Sequence, residues 1–86
     1  MDKNQIINLT DLAFRQYCEE KYGLNKGIYN TIDDWFYKKG FINIQLRRYQ
    51  VLEFIHYHLS AHKTKKISFG SGGLVKKLNE YVSKTG

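Results

Sequence analysis

The stretch from Asn43 to His62 constrains the fold of this chain more than any other part of the sequence. Its apolar residues recur three and four positions apart, the spacing that places side chains on one side of an α-helix. Asn43 stands where an N-cap is expected, and no glycine or proline interrupts the stretch. We therefore predict a long central helix here. The residues of its apolar stripe are Ile44, Val51, Leu52, Ile55 and Leu59.

Another helix is predicted before it, over residues 9–22. Asn8 or Thr10 can cap its N-terminus, and Gly23 follows in the left-handed position that ends many helices. Cys18 falls on the apolar side of this helix, which is typical of a buried, inert thiol.

A short helix is predicted over residues 32–39, after a connection at residues 24–30. Thr31 and Asp34 have the spacing of a capping box, and Gly40 follows as the stop. After the central helix, the helical spacing returns from Leu74 and predicts a last helix that ends at about residue 83.

These elements predict an all-α fold, a compact bundle of about four helices in a single domain that spans residues 1–86. Residues 1–7 are predicted to form a loose N-terminus, and residues 63–73 a basic, Gly-rich connection. A short extended segment around residues 65–69 is compatible with the alternation of Ile67, Ser68 and Phe69.

Charge is unevenly distributed along the 86 residues. Residues 1–37 contain four Lys and Arg against six Asp and Glu, a net charge of −2, whereas residues 38–86 contain ten against two, a net charge of +8. This asymmetry favours a polyanionic partner for the C-terminal part, such as a nucleic acid, an anionic surface or an acidic protein. A basic surface that only keeps the protein soluble is the alternative.

The sequence also indicates a compartment. It starts without an apolar run of signal-peptide length, and no segment approaches the roughly 18 apolar residues of a membrane span. Its single cysteine excludes a scaffold stapled by intrachain disulfides. We therefore predict a cytoplasmic protein that has no membrane partner.

Basic and aromatic residues alternate in the C-terminal part, a combination typical of nucleic-acid binding. Cations at backbone spacing bind phosphates, and flat rings stack on unpaired bases. The candidate phosphate contacts are Lys38, Lys39, Arg47, Arg48, Lys63, Lys65, Lys66, Lys76 and Lys77. The candidate stacking residues are Tyr37, Tyr49 and Tyr57, for which a place in the core is the alternative.

Two further motifs fit the sequence less well. The helix over residues 32–39, Gly40 and the central helix are compatible with a helix-turn-helix, but Phe36 stands where that motif usually has a small side chain. The run at residues 70–73 could bind an anion at a helix start, but it lacks the Gly-Lys-Ser/Thr of a Walker loop. Two packed helices and a flexible connection are the simpler interpretations.

Metal binding and catalysis find little support in the sequence. His58 and His62 are four residues apart and would share a helix face, as zinc ligands do, but Leu59 stands where a zincin has its catalytic glutamate. The acidic pairs at residues 19–20 and 33–34 diverge on a helix, so they are poor acid–base couples. We predict no catalytic residue, no metal and no cofactor.

The sequence as a whole predicts a small, basic, non-catalytic nucleic-acid-binding protein, an accessory or regulatory factor for which DNA is favoured over RNA. The alternative is a protein-interaction module, an adaptor or inhibitor subunit that docks on a larger enzyme through exposed aromatic residues. The sequence leaves open the preferred strandedness, the sequence specificity, the identity of any protein partner and the oligomeric state.

Overall fold

The computed structural model describes residues 1–67 and 71–85, apart from the side chains of residues 71, 72 and 85, and these ranges form five α-helices without a strand. The helices are α1 (Lys3–Ile7), α2 (Asp11–Tyr22), α3 (Lys26–Lys38), α4 (Ile44–Ala61) and α5 (Ser71–Thr85). Helix α4 packs against α1, α3 and α5, and α3 also packs against α2 and α5. The predicted all-α bundle is confirmed.

The central helix α4 forms where the sequence predicts it. The Asn43 side chain accepts a hydrogen bond from the Leu46 N–H at 3.0 Å, which confirms the predicted cap. Of the predicted stripe, the residues Val51, Leu52 and Ile55 are buried. Ile44 is 39% exposed and lies outside the core. Three other helices pack against α4 and bury its middle, whereas Ile44, Leu46 and Tyr49 near its start remain exposed.

Helix α2 ends where predicted, at Tyr22, and starts two residues later than predicted, at Asp11. Its C-terminal end contacts the chain that follows α4. Thr10 is its cap and accepts from the Ala13 N–H at 3.2 Å. Gly23 ends it with φ 75°, and a Cβ there would lie 3.3 Å from the Ile67 carbonyl oxygen. The Ile67 N–H donates to the Tyr22 carbonyl at 2.8 Å, so the backbone after α4 is fixed against the end of α2.

Helix α3 begins earlier than predicted. Its cap is Asn25, whose side chain accepts from the Ile28 N–H at 2.9 Å. Thr31 lies inside the helix and its hydroxyl donates to the Gly27 carbonyl at 2.9 Å, so it does not cap the helix. Burial of Ile28 favours the helix here. The prediction that residues 24–30 form a connection was wrong for all but its first two residues.

The N-terminus is ordered where a loose segment was predicted. Asp2 and Gln5 form a reciprocal capping box at the start of α1. A helix this short is not stable alone, so its contacts with α4 must hold it. Ile6 is 6% exposed, and the Lys3 ammonium lies 2.7 Å from the Glu53 carboxylate of α4.

Helix α5 also begins earlier than predicted, at Ser71, so Gly72 and Gly73 are helical and do not belong to a connection. Its core contacts come from Leu74 and Leu78, both fully buried. Residues 68–70, which include two of the three alternating residues of the predicted extended segment, lie outside the described part of the chain.

Candidate nucleic-acid interface

Arg47, at the start of α4, serves the connection between α3 and α4. Its Nε lies 2.8 Å from the Asp33 carboxylate, and its Nη1 donates to the carbonyls of Phe41 and Ile42 at 2.9 and 3.0 Å. Only 12% of its side chain is exposed. Reaching a phosphate would break a charge-assisted network that fixes this turn.

Arg48 is buried more deeply, at 4% exposed. Its Nη1 donates to the carbonyls of Ile7 and Leu9 at 3.1 and 2.7 Å, and its Nη2 lies 3.6 Å from the Asp11 carboxylate. The guanidinium carbon is 4.9 Å from the centre of the Phe14 ring. Because the last carbonyls of a helix have no partner within it, Arg48 satisfies the end of α1.

The two lysines at the end of α3 are exposed, and each contacts another side chain of the same helix. The Lys38 ammonium lies 3.0 Å from the Asp34 carboxylate, with 74% of the lysine side chain exposed. The Lys39 ammonium lies 5.1 Å from the centre of the Trp35 ring. Tyr37 is 51% exposed. These contacts are weak at a surface, so both lysines can still meet a ligand.

The other two candidate stacking residues differ in access. Tyr49 is 39% exposed, but the Lys3 ammonium lies 4.9 Å from the centre of its ring. Tyr57 is half-buried and packs edge-on against Tyr81, with ring centres 5.3 Å apart. The Lys3 ammonium therefore occupies one face of the Tyr49 ring, and Tyr57 is partly withdrawn from solvent beside Tyr81.

The lysines after α4 and on α5 are in a different situation. Lys63, Lys65, Lys66 and Lys76 are exposed, and within residues 1–67 and 71–85 none of them forms an ion pair. Lys77 is partly buried, with its ammonium 3.7 Å from the Glu80 carboxylate. These lysines keep charge available for an external anion.

A groove of about 230 Å³ joins the end of α4 to one side of α5. Its polar lining includes His58, His62, Lys77, Glu80 and Lys84. Burial lowers the pKa of His58, and the neighbouring charges of His62 and Lys77 lower it further. The excess of positive groups makes the groove attractive to an anion.

Lys84, which lines this groove, is not among the contacts predicted from the sequence. Lys84 lies seven residues after Lys77, which places it on the same side of α5 two turns later. That spacing was a usable signal. From the sequence, His62 was considered only as a metal ligand. In the structure it lines the groove together with Lys77 and Lys84.

Among the residues that the structure describes, no three His, Cys, Asp or Glu side chains come together as metal ligands would. In the same part of the chain, no helix combines the length and the apolar character needed to cross a bilayer. Cys18 is fully buried, as predicted, and burial raises the pKa of its thiol to about 12.

Comparison with known proteins gives one informative similarity. No family model matches the chain, and no solved structure matches it. The chain is 40% identical over 83 residues to RNA-binding riboflavin kinase RibR of Bacillus subtilis (strain 168), and the alignment covers 93% of this chain. It covers 36% of the relative. The chain is therefore similar to a part of a longer protein that spans little more than a third of that protein's length.

Proposed function

We propose that this chain is a small, non-catalytic RNA-binding module whose lysines after α4 and along α5 bind the RNA backbone. The observation that carries the proposal is that these lysines are exposed and, among the described residues, have no strong ion pair. Such cations can release the counterions of a polyanion without first losing a partner of their own. The proposed phosphate contacts are Lys63, Lys65, Lys66, Lys76 and Lys84.

The name of the Bacillus subtilis relative contains two activities, RNA binding and riboflavin kinase. The charge distribution of this chain supports the first, because its cations lie on open surface along two elements. Phosphoryl transfer instead needs cations and metal ligands that converge on one nucleotide. RNA replaces DNA as the proposed ligand because the relative's name supports RNA, whereas the sequence alone had favoured DNA.

Arg47 and Arg48 have no part in this proposal, since their hydrogen bonds hold the scaffold. The exposed Lys38 and Lys39 can extend the contact at the end of α3. Lys77 contributes to the potential of the groove and keeps its bond to Glu80.

The test is a titration of labelled RNA with the whole chain at several salt concentrations. Five lysine contacts to single-stranded RNA predict that affinity falls about 100-fold or more between about 50 and 300 mM salt. Replacing Lys65 and Lys66 by Gln should weaken binding and flatten the salt dependence, whereas Lys26→Gln, at an exposed lysine on the far end of α3, should change neither.

Absence of binding at about 50 mM salt, or binding that ignores salt, would overturn the proposal. Equal affinity for RNA and for DNA of the same sequence would reject the preference for RNA, although the nucleic-acid contact itself would stand.

A second candidate, docking on another protein, is favoured by apolar side chains at the turn between α3 and α4. Ile42 is 70% exposed, Leu46 is 61% exposed and Ile44 lies between them. Exposed apolar groups in one region are typical of interaction surfaces. A titration without any salt-dependent RNA binding would make this candidate the better explanation.

A further inference from the structure

An aromatic pocket lies between the end of α3, the turn after Gly40, α4 and one side of α5, and Lys39 is the one residue of its lining named among the contacts proposed above. Its volume is about 350 Å³. Its lining includes Trp35, Phe36, Phe41, Tyr81, Gln50 and Lys39. Four of these six side chains are aromatic, whereas the groove beside Lys77 is lined mainly by charged and histidine side chains.

The rings of this pocket are held by one another. Phe36 is 1% exposed and forms the centre of the cluster. The ring centres of Trp35, Phe41 and Tyr81 lie 5.1, 5.8 and 6.4 Å from its own, each edge to face. Trp35 and Phe41 are only partly buried, so they present ring surface to the pocket in fixed orientations.

Two polar groups accompany the rings. The Lys39 ammonium stands 5.1 Å from the centre of the Trp35 ring. Gln50 accepts a hydrogen bond from the Tyr81 hydroxyl through Oε1 at 3.4 Å, which leaves its amide N–H₂ as a donor. No hydrogen bond from that nitrogen is found within the described residues. The pocket thus combines flat apolar surface, one hydrogen-bond donor and one cation.

We propose that this pocket binds a single unpaired nucleobase of the RNA. The base stacks on the aromatic side chains, the Gln50 amide donates to its edge, and Lys39 binds the adjoining phosphate. A purely apolar occupant would accept no hydrogen bond from the Gln50 amide and form no ion pair with Lys39, whereas a nucleotide can do both and also stack on the rings.

This inference rests on the proposed RNA binding and narrows its ligand class. A base inside a regular duplex is paired and stacked, so it cannot enter a pocket. The preferred RNA therefore contains a bulge, a loop or a single-stranded segment.

The experiment compares a hairpin RNA that carries a one-nucleotide bulge with the same hairpin without it. Trp35 is the only tryptophan of the chain, so its intrinsic fluorescence reports on the pocket. We expect the bulged RNA to bind about 5- to 100-fold more tightly, the value of one stacked base, and to quench Trp35.

A matched pair of substitutions on α5 tests whether the unpaired base binds in this pocket. Val82 lines the pocket and is 42% exposed, and Val75 is 46% exposed two turns earlier on the same side of the helix. Val82→Phe should fill the pocket and abolish the preference for the bulge, whereas Val75→Phe should keep it. Both side chains reach solvent, so circular dichroism should show an intact fold.

A second pair keeps the test decisive if Val82→Phe fails to fold. Lys39→Gln should reduce the preference for the bulge, and Lys38→Gln, at the neighbouring lysine outside the pocket, should not. Equal binding of both hairpins by the natural chain, or equal effects within each pair, would overturn the base pocket and leave the proposed RNA binding intact. Failure of both hairpins to bind would overturn both.

Discussion

The cations at the two ends of α4 have opposite environments, although the sequence gives them the same charge. At its start, Arg47 and Arg48 are 12% and 5% exposed in their side chains, and each has a carboxylate and two backbone carbonyls as partners. After its end, Lys63, Lys65 and Lys66 are exposed. The difference shows that a net charge of +8 over residues 38–86 overstates the surface that can bind a polyanion.

The buried arginines also explain where the acidic N-terminal part finds its partners. Asp11 is the first residue of α2 and lies beside Arg48, and Asp33 lies in α3 and pairs with Arg47. Part of the opposite charge of the two halves is thus used inside the fold. The exposed cations of residues 38–86 lie at the end of α3, after α4 and on α5.

The largest effect that would test this comparison is expected at Arg48. Arg48→Met should lower the free energy of unfolding by about 3 kcal/mol, because the carbonyls of Ile7 and Leu9 lose their donor in a buried place. For a domain of this size that corresponds to a melting temperature about 15 °C lower. Thermal unfolding followed by circular dichroism measures it.

The matched control is Arg15→Met. Arg15 also bonds an Asp11 carboxylate oxygen, at 3.0 Å, but 35% of its side chain is exposed, so the loss should stay below about 1 kcal/mol. Equal losses for both variants would contradict the structural role of Arg48. RNA affinity of the folded Arg48 variant should be unchanged.

The next effect concerns the lysines after α4. Replacing Lys63, Lys65 and Lys66 together by Gln should reduce RNA affinity about 100-fold at physiological salt and lower the slope of log affinity against log salt by about 2. The melting temperature should stay within a few degrees, since these side chains are exposed. Filter binding at four salt concentrations measures both quantities.

Arg47→Gln tests the comparison between buried arginines and exposed lysines at the arginine end of α4. Its loss of the Asp33 contact should destabilise the fold by about 1–2 kcal/mol and leave the salt dependence of RNA binding unchanged. If Arg47→Gln lowered the salt slope as much as one lysine does, the division into structural and binding cations would be wrong.

Much of the fold could be predicted because its signals are local. Each of these signals acts within one or two helical turns. They are the apolar spacing of α4, its cap Asn43, and Gly23 at the end of α2. The start of α3 was missed, because Gly27 in its first turn lowers helix propensity. Its cap Asn25 was a local signal, and burial of Ile28 and Tyr29 against the rest of the fold adds a contribution that the sequence does not display.

The burial of Arg48 was not predicted, because its hydrogen-bond partners are distant in sequence. Arg48 bonds carbonyls of residues 7 and 9, which nothing near it in the chain identifies. One local signal existed, since Arg48 precedes Val51, Leu52 and Ile55 by three, four and seven residues and so lies on the apolar stripe itself. A charged residue on such a stripe should be read as a candidate for a buried, bonded role.

The smallest expected effect is a pH dependence of RNA affinity that arises from His58. The pKa of His58 is lowered by burial and by the charges of His62 and Lys77. A phosphate bound in this groove offsets the repulsion and favours protonated His58, so binding takes up protons. RNA affinity should therefore rise about threefold between about pH 7.5 and 6.0. The same titration of His58→Gln should be flat if His58 is the group responsible.

The free energy of unfolding should depend on the protonation of His58 in the opposite direction to RNA affinity. In the unfolded chain His58 recovers its ordinary pKa of about 6.5, so below that pH the unfolded state binds more protons than the folded state. The free energy of unfolding should thus decrease as the pH falls through about 6.5 towards the lowered pKa of the folded state, while RNA affinity increases. Thermal melts and RNA titrations over one pH series measure both. RNA affinity that falls together with stability would show that the groove of His58, His62 and Lys77 does not contact phosphate, and it would restrict the interface to the lysines that directly follow α4.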